Sequence, residues 1–301
     1  MSVPWYRQRW LHLALGLVVA VLAIVWAGQR ATQGVRSNLD ARLRDAGAGA
    51  DAALVSLEAE QLSALRAVTF TQGVGAALAA RDVAQLNRLV TPVQANSDVP
   101  MVDVILPNGQ VELAVRSKGA PAPVASRAGL PAIRQALREA HGRRGGRFAE
   151  VVIFRGGPVL MTIGPVLDGS KAVGVVLTMT PLADALGRLS QQVAATLTAY
   201  DTLGRPIATT ATFQPRAVAR DTARVLIGGG PIVMRYVHGD DREALGRLIV
   251  DHQPVAVLGV SLRDNSAATG RAVTLYAALG LIGTVLILGT FWARVSNRSV
   301  A

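Results

Sequence analysis

The chain has 301 residues, half of them hydrophobic, a mean hydropathy of +0.34, no cysteine and a formal net charge of +11. That length admits about two domains, and the hydropathy is high for a soluble protein, so membrane segments are sought first. Without cysteine, disulfides, metal–thiolate sites and cysteine nucleophiles are excluded, and any exported domain must rest on its apolar core.

No charged residue occurs between Arg9 and Arg30, and the run from Leu11 to Ala27 is long enough to cross a hydrocarbon core of ~30 Å as a helix. A second charge-free window lies between Arg271 and Arg294, with an apolar run from Leu275 to Trp292. Trp5, Trp10, Trp26 and Trp292 sit at or near the ends of these windows, at headgroup level for an amphipathic indole. Arg7 and Arg9 precede the first window and Arg294 and Arg298 follow the second, which places both termini in the cytoplasm. A cleaved signal peptide shares the basic start, but the first apolar run exceeds the usual ~7 to 15 residues. The expected organisation is a cytoplasmic start (1–9), a transmembrane helix (10–29), an extracytoplasmic region (30–271), a second transmembrane helix (272–293) and a short cytoplasmic tail (294–301). The surplus arginines then lie outside the cell, where lipid headgroups or acidic surface polymers are their neighbours rather than nucleic acid.

From Ala31 to Val68, apolar residues recur at helical spacing through Leu39, Leu43, Ala50, Leu54, Leu57, Leu62 and Leu65 with no proline. This predicts a long helix that continues the first span, interrupted at Gly73 and Gly75. A short helix follows from an Asp82 N-cap to Val90, before Pro92, so that residues 30–95 form the helical part. Met101–Val115 reads as two strands around the turn Pro107-Asn108-Gly109. A Pro/Ala-rich loop leads to a short helix near Leu130–Ala140, then strands over Phe148–Arg155, Pro158–Leu167 and Ala172–Thr178. A bridging helix over Leu182–Val193 opens a second unit. There Thr196–Thr210 repeats the first hairpin, with Gly204 in the role of Gly109, and Val255–Leu262 echoes Val173–Thr180. Gly229-Gly230-Pro231-Ile232-Val233-Met234 likewise echoes Gly156-Gly157-Pro158-Val159-Leu160-Met161 as a strand connection. In the second unit the segment Asp221–Val225 stands in for a proper helix. The fold class is α+β: two tandem antiparallel-sheet modules, residues 96–182 and 183–268, each with helices on one side, packed on one long helix.

This order of elements resembles the double Cache modules, tandem PAS-like extracytoplasmic sensors of bacterial transmembrane receptors. The residues that carry it are the long helix, the hairpin at Pro107-Asn108-Gly109, and the run from Pro158 to Asp168. Val173-Gly174-Val175-Val176 and the exit helix from Pro181-Leu182 complete it. The resemblance covers Ala31 to Asp264. It implies that residues 96–182 are a membrane-distal module that holds a small ligand between sheet and loops. Residues 183–268 are then a membrane-proximal module that relays the change to the second span, and the receptor is a homodimer. Amino-acid-binding members resemble one another in an aspartate shortly after the Gly-Val-Val strand. Met179 takes that place here, with no preceding Arg-x-Trp or Tyr cluster, which argues against an amino-acid ligand.

Candidate ligand-binding residues are Phe148, Glu150, Arg155, Met161 and Met179. Alternation along the strand places Phe148, Glu150, Val152 and Phe154 on one face and Ile153 and Arg155 on the other. Glu150 in an apolar pocket would orient a cationic or hydroxylated ligand, and Arg155 would hold a carboxylate bidentately. At either position the blander reading is a solvated or surface-paired charge. Arg143, Arg144 and Arg147 form a basic loop, and His238-Gly239-Asp240-Asp241 reads as turn chemistry rather than a metal site. Gly228-Gly229-Gly230 lacks the Gly-Lys-Ser/Thr of a phosphate loop. There is no Gly-x-Ser-x-Gly elbow and no His-Glu-x-x-His, so neither catalysis nor a cofactor is expected. The expected function is a small-molecule sensor input module, truncated or dependent on a cytoplasmic or membrane signalling partner. The alternative is a non-catalytic envelope assembly or protein-docking subunit.

Overall fold

The computed structural model describes residues 5–142, 145–238, 241–264 and 268–283, with side chains from residue 18 onward. The chain divides into two compact units, residues 1–42 with 263–301 and residues 43–262.

The first unit contains the start of helix α1 (Trp5–Thr69) and the last described helix, α7 (268–283). The described part of α1 is long and apolar enough to cross a membrane, and Val18, Val21, Leu22, Val25 and Trp26 are exposed along it. The two helices meet through small residues. Thr32 Oγ1 donates to Gly28 O at 2.8 Å and Thr274 Oγ1 to Gly270 O at 2.9 Å, and each threonine lies against the other helix's glycine. The second expected span, 272–293, lies partly outside the described residues.

In the second unit, α1 buries Leu43, Ala50, Leu54, Leu57, Gln61, Leu65 and Val68, a stripe at intervals of three, four and seven residues. Gln61 rather than Leu62 continues this stripe, so a polar residue stands where the periodicity called for an apolar one. Gly73, at φ 90°, breaks the chain into α2 (Val74–Ala80), and Asp82 caps α3 (Val83–Ala95) by accepting from Gln85 N at 2.9 Å. Helix α3 does not stop before Pro92 as expected. Proline removes a bond only to the carbonyl of the exposed Arg88 in the last turns, and Asn96 N still closes on Pro92 O at 3.1 Å.

The first sheet comprises β1 (Met101–Ile105), β2 (Val111–Arg116), β3 (Phe148–Phe154), β4 (Gly157–Asp168) and β5 (Lys171–Pro181), in the order β2-β1-β5-β4-β3. Helix α4 (Pro131–Arg138) connects β2 to β3. After α5 (Leu182–Val193) the same order recurs as β7-β6-β10-β9-β8, from β6 (Thr196–Tyr200), β7 (Pro206–Thr209), β8 (Val233–His238), β9 (Asp241–Val250) and β10 (Gln253–Arg263). Helix α6 (Arg220–Ile227) occupies the place of α4 and is likewise eight residues long. The reduced segment expected there is thus a full counterpart: Ala223 and Leu226 are buried on one side while Arg220 and Arg224 face outward, an amphipathic pattern too short to stand out in sequence.

Equal topology also moves one of the sequence echoes. Gly156-Gly157 joins β3 to β4, whereas Gly228 to Gly230 close the C-terminus of α6, where Gly228 N reaches Arg224 O and Gly230 N reaches Val225 O. The glycines after α6 are a helix cap ahead of β8, not a strand connection. His238 does pair with Asp241 at the end of the β8–β9 ladder, and Gly239 and Asp240 lie outside the described residues.

Helices cover both faces of the first sheet, not one. α1, α2 and α3 meet Val102, Val104, Val166 and Val176, while α4 meets Met101, Ile105, Met161, Leu177 and Met179. The physical reason is legible in β4 and β5, whose apolar runs are nearly continuous rather than alternating, as strands buried on both sides require. Each of these fully buried aliphatic side chains contributes about 1.5–3 kcal/mol.

A candidate ligand cleft in the first module

The turn of the β1–β2 hairpin positions the cleft. Gly109 has φ 86°, and a Cβ there would run into the backbone of Ala128, so the loop 125–128 folds directly over the turn. Arg127 N donates to Gly109 O at 2.7 Å, which delivers the Arg127 side chain to the α4 face of the sheet. The second module uses the same device, with Gly204 at φ 79° and Val218 N donating to Gly204 O at 2.8 Å.

On that face, β1 carries Asp103 between Met101 and Ile105. Its carboxylate is fully buried and is held by two arginines. Arg116 Nη2 pairs with Oδ1, and Arg127 donates from Nε and Nη2 to Oδ2 at 3.2 and 3.0 Å. Arg116 is itself fixed through Nη1, which donates to Val102 O at 3.1 Å and Val115 O at 2.9 Å. The Arg127 guanidinium lies 4.2 Å above the Phe154 ring and its Nη2 is 3.7 Å from Met179 Sδ. Two guanidinium groups on one carboxylate leave a surplus positive charge.

Around this cluster is a cleft of about 930 Å³, bounded by the loop 121–131, the β3–β4 turn 155–158, and sheet residues including Met101, Val152, Phe154, Val159 and Met179. Apolar walls with a few convergent polar groups are the usual composition of a small-molecule site. Of the residues singled out in sequence, Arg155 and Met179 line the cleft. Glu150, Met161, Met179 and Met101 lie in one row across the sheet, with Arg116 at its far end. Met161 is fully buried under α4 and Phe148 packs beside it, so neither is among the lining residues. Glu150 is half-buried away from the cleft, and burial raises its carboxyl above the usual range. In the basic loop, Arg143 and Arg144 are outside the described residues. Arg147 stacks 4.7 Å over Phe70, and burial together with Arg66 lowers its pKa. Among the described residues there is no cluster of three or more His, Asp or Glu side chains fit to hold a metal ion.

Sequence reasoning missed Asp103, Arg116 and Arg127. Asp103 had a signal, a lone carboxylate inside the apolar run Met-Val-Asp-Val-Ile. The arginines had none, because their partner is reached through a hairpin and a loop.

The same face of the second sheet is filled. Tyr200 and Glu243 are fully buried there, with Tyr200 Oη donating to Glu243 Oε1 at 2.8 Å and Arg235 Nε donating to Oε2 at 2.7 Å. Arg235 also donates to the carbonyls of Arg216 and Ala217, at 2.7 and 2.8 Å. Burial raises the Glu243 carboxyl against the opposing pull of Arg235, and burial beside that carboxylate raises the Tyr200 phenol. Val218, Ala223, Leu226, Leu245 and Val257 pack around this network.

No protein-family model matches the chain, and no curated protein matches it in sequence. Solved structures do match. The sensory domain of the Campylobacter jejuni chemoreceptor Tlp3 aligns at 12% identity and a TM-score of 0.54, over 79% of this chain and 98% of its own. The Tlp3 ligand-binding domain in complex with 4-methylisoleucine aligns at 10% identity and a TM-score of 0.52, over 78% and 93%. The sensor domain of the V. cholerae histidine kinase DctB aligns at 10% identity and a TM-score of 0.52, over 76% and 97%. Together with the repeated five-stranded order, these likenesses show that the chain carries the fold of the sensor domains of chemoreceptors and histidine kinases, the tandem Cache fold.

Proposed function

We propose that the chain is an extracytoplasmic small-molecule sensor, anchored by two transmembrane helices, in which the first module is membrane-distal and binds the ligand and the second is membrane-proximal and relays it. The observation that carries this reading is the contrast between the two modules. The same face that forms an open cleft of about 930 Å³ in the first is plugged by Glu243, Tyr200 and Arg235 in the second. The 4-methylisoleucine held by the Tlp3 domain shows that this fold can accommodate a small organic molecule. Ligand occupancy would favour one packing of β5 and α1 over another, a population shift passed toward the membrane by those elements. Homodimerisation and a separate cytoplasmic or membrane partner for output belong to the same proposal.

A thermal-shift screen of the full chain in nanodiscs against organic acids, amines, nucleobases and sugars tests it. One chemical class should raise the midpoint saturably by several degrees. A flat response from a cooperatively melting protein would move the assignment to an envelope docking subunit.

A further inference from the structure

We infer that the cleft takes an organic carboxylate with an apolar body and no α-ammonium group, seated on Arg155 and Arg127; the inference rests on the sensor reading of this cleft. The charge balance comes first. Among the described residues the lining contributes Arg116, Arg127 and Arg155 and no acid. The carboxylate that reaches this end of the sheet, Asp103, is fully buried in ion pairs with Arg116 and Arg127. An ammonium entering the cleft would therefore meet cations. To recruit Asp103 it would have to strip the carboxylate from Arg116, whose buried Nε already lacks a hydrogen-bond acceptor.

The donors left over suit an anion. Arg127 engages Asp103 through Nε and Nη2, its Nη1 has no protein partner among the described residues, and stacking on Phe154 fixes the plane of the guanidinium. Arg155, at the β3–β4 turn, has no protein partner among the described residues and lines the same space. A planar guanidinium held in advance binds a carboxylate with little loss of freedom, and a second mobile one can close on it. Beside these donors stand Met101, Leu130, Val152, Val159 and Met179, which offer the body of the ligand an apolar wall. The carboxylate that an α-amino acid would need for its ammonium is already neutralised, so a zwitterion gains at one end and pays at the other.

The test uses the full chain in nanodiscs, with binding to empty nanodiscs subtracted. Probes share a body and differ in head group: hexanoate, hexylamine and norleucine, then phenylbutyrate, phenylbutylamine and homophenylalanine. Titration calorimetry should show saturable binding of the acids and weaker or no binding of the amines and amino acids. Arg155→Gln should weaken the acids by about tenfold or more, the loss of one charge-assisted hydrogen bond, while leaving the melting midpoint without ligand in place. Preferential binding of an amine or amino acid overturns the inference. So does unchanged acid affinity in Arg155→Gln. If no acid binds but a nucleobase, sugar or amine from the wider screen does, the ligand class falls and the sensor reading stands. If nothing binds, both fall.

Discussion

Gln61 Nε2 of α1 donates to Thr180 Oγ1 of β5 at 2.8 Å, across the face of the first sheet opposite the cleft. Thr162 Oγ1 returns a bond to Gln61 Oε1 at 2.9 Å, and Thr178 Oγ1 lies 3.4 Å from Gln61 O. Thr180 sits between Met179 and Pro181, which both line the cleft. The long helix is therefore hydrogen-bonded to the strand that forms the cleft floor. Gln61→Leu keeps the volume but leaves the Thr162 and Thr180 hydroxyls in an apolar interior, at a cost of about 1–3 kcal/mol. Denaturant unfolding of the full chain should show that loss, and adding Thr162→Val and Thr180→Val should recover most of it. If the triple variant is no more stable than Gln61→Leu alone, the network is not what holds this contact.

Gln61 also marks the limit of what the sequence showed. The α1 stripe, the two hairpins and the succession of strands along the chain were legible because they follow from periodicity and from turn glycines with positive φ, such as Gly109 and Gly204. Gln61 was passed over because a polar residue in an apolar stripe becomes meaningful only when Thr162 and Thr180, about a hundred residues later, satisfy it. The cleft shows the same division. Arg155, singled out beside a turn, and Met179, singled out through the family resemblance, line it, while Asp103 with Arg116 and Arg127 is a tertiary assembly. The repeat was misaligned at Gly229-Gly230 because a Gly-Gly-Pro motif serves equally as a hairpin turn and as a helix end.

Gly259 makes room for the plug of the second module. A Cβ at this position would collide with Glu243 Oε1 and would lie 2.9 Å from Tyr200 Cε2. The position facing β1 at the same point of the first sheet is Leu177, opposite Asp103, just as Gly259 is opposite Thr198. Gly259→Ala should destabilise the protein by about 1–3 kcal/mol through overpacking. Glu243→Ala should cost about 3–5 kcal/mol, because it leaves Arg235 without its carboxylate. In the Glu243→Ala background, Gly259→Ala should lose most of its effect. Additive losses in equilibrium unfolding would show that the two residues do not share one space.

Glu58 of α1 meets the tip of the β9–β10 hairpin. Its Oε2 accepts from Asp251 N at 3.3 Å, and Asp251 and His252 both have positive φ, at 47° and 65°. Burial raises the Glu58 carboxyl above its ordinary 4.5; the bond from Asp251 N and the charge of His252 pull it down, and the Asp251 charge pushes it up. A raised folded-state pKa means that the native protein binds this proton more tightly than the unfolded chain does. The resulting stabilisation is complete below pH 4.5 and is lost as pH rises through the folded value. Glu58→Gln should therefore raise the melting midpoint at neutral pH and match the wild type in acid. A difference that grows toward acid pH would reverse this assignment.

Gly28 and Gly270 set the approach of α1 and α7. A Cβ on Gly28 would stand 2.7 Å from Thr274 Oγ1 and 4.0 Å from Thr274 Cβ, and a Cβ on Gly270 would collide with Thr32 Oγ1. Each helix thus presents a glycine and, four residues later, a threonine whose hydroxyl is bonded back to that glycine's carbonyl. This pattern lets two backbones approach closely. A Cβ separation of 4.0 Å falls inside the range that a disulfide spans, about 3.5–4.5 Å, and no native cysteine competes. The double variant Gly28→Cys, Thr274→Cys should form an intramolecular disulfide on mild oxidation, seen as a mobility shift on a non-reducing gel. Adding Gly270→Leu should drive Thr32 away and suppress the cross-link. Efficient cross-linking despite Gly270→Leu would mean that the two helices are held together by something other than this glycine–threonine contact.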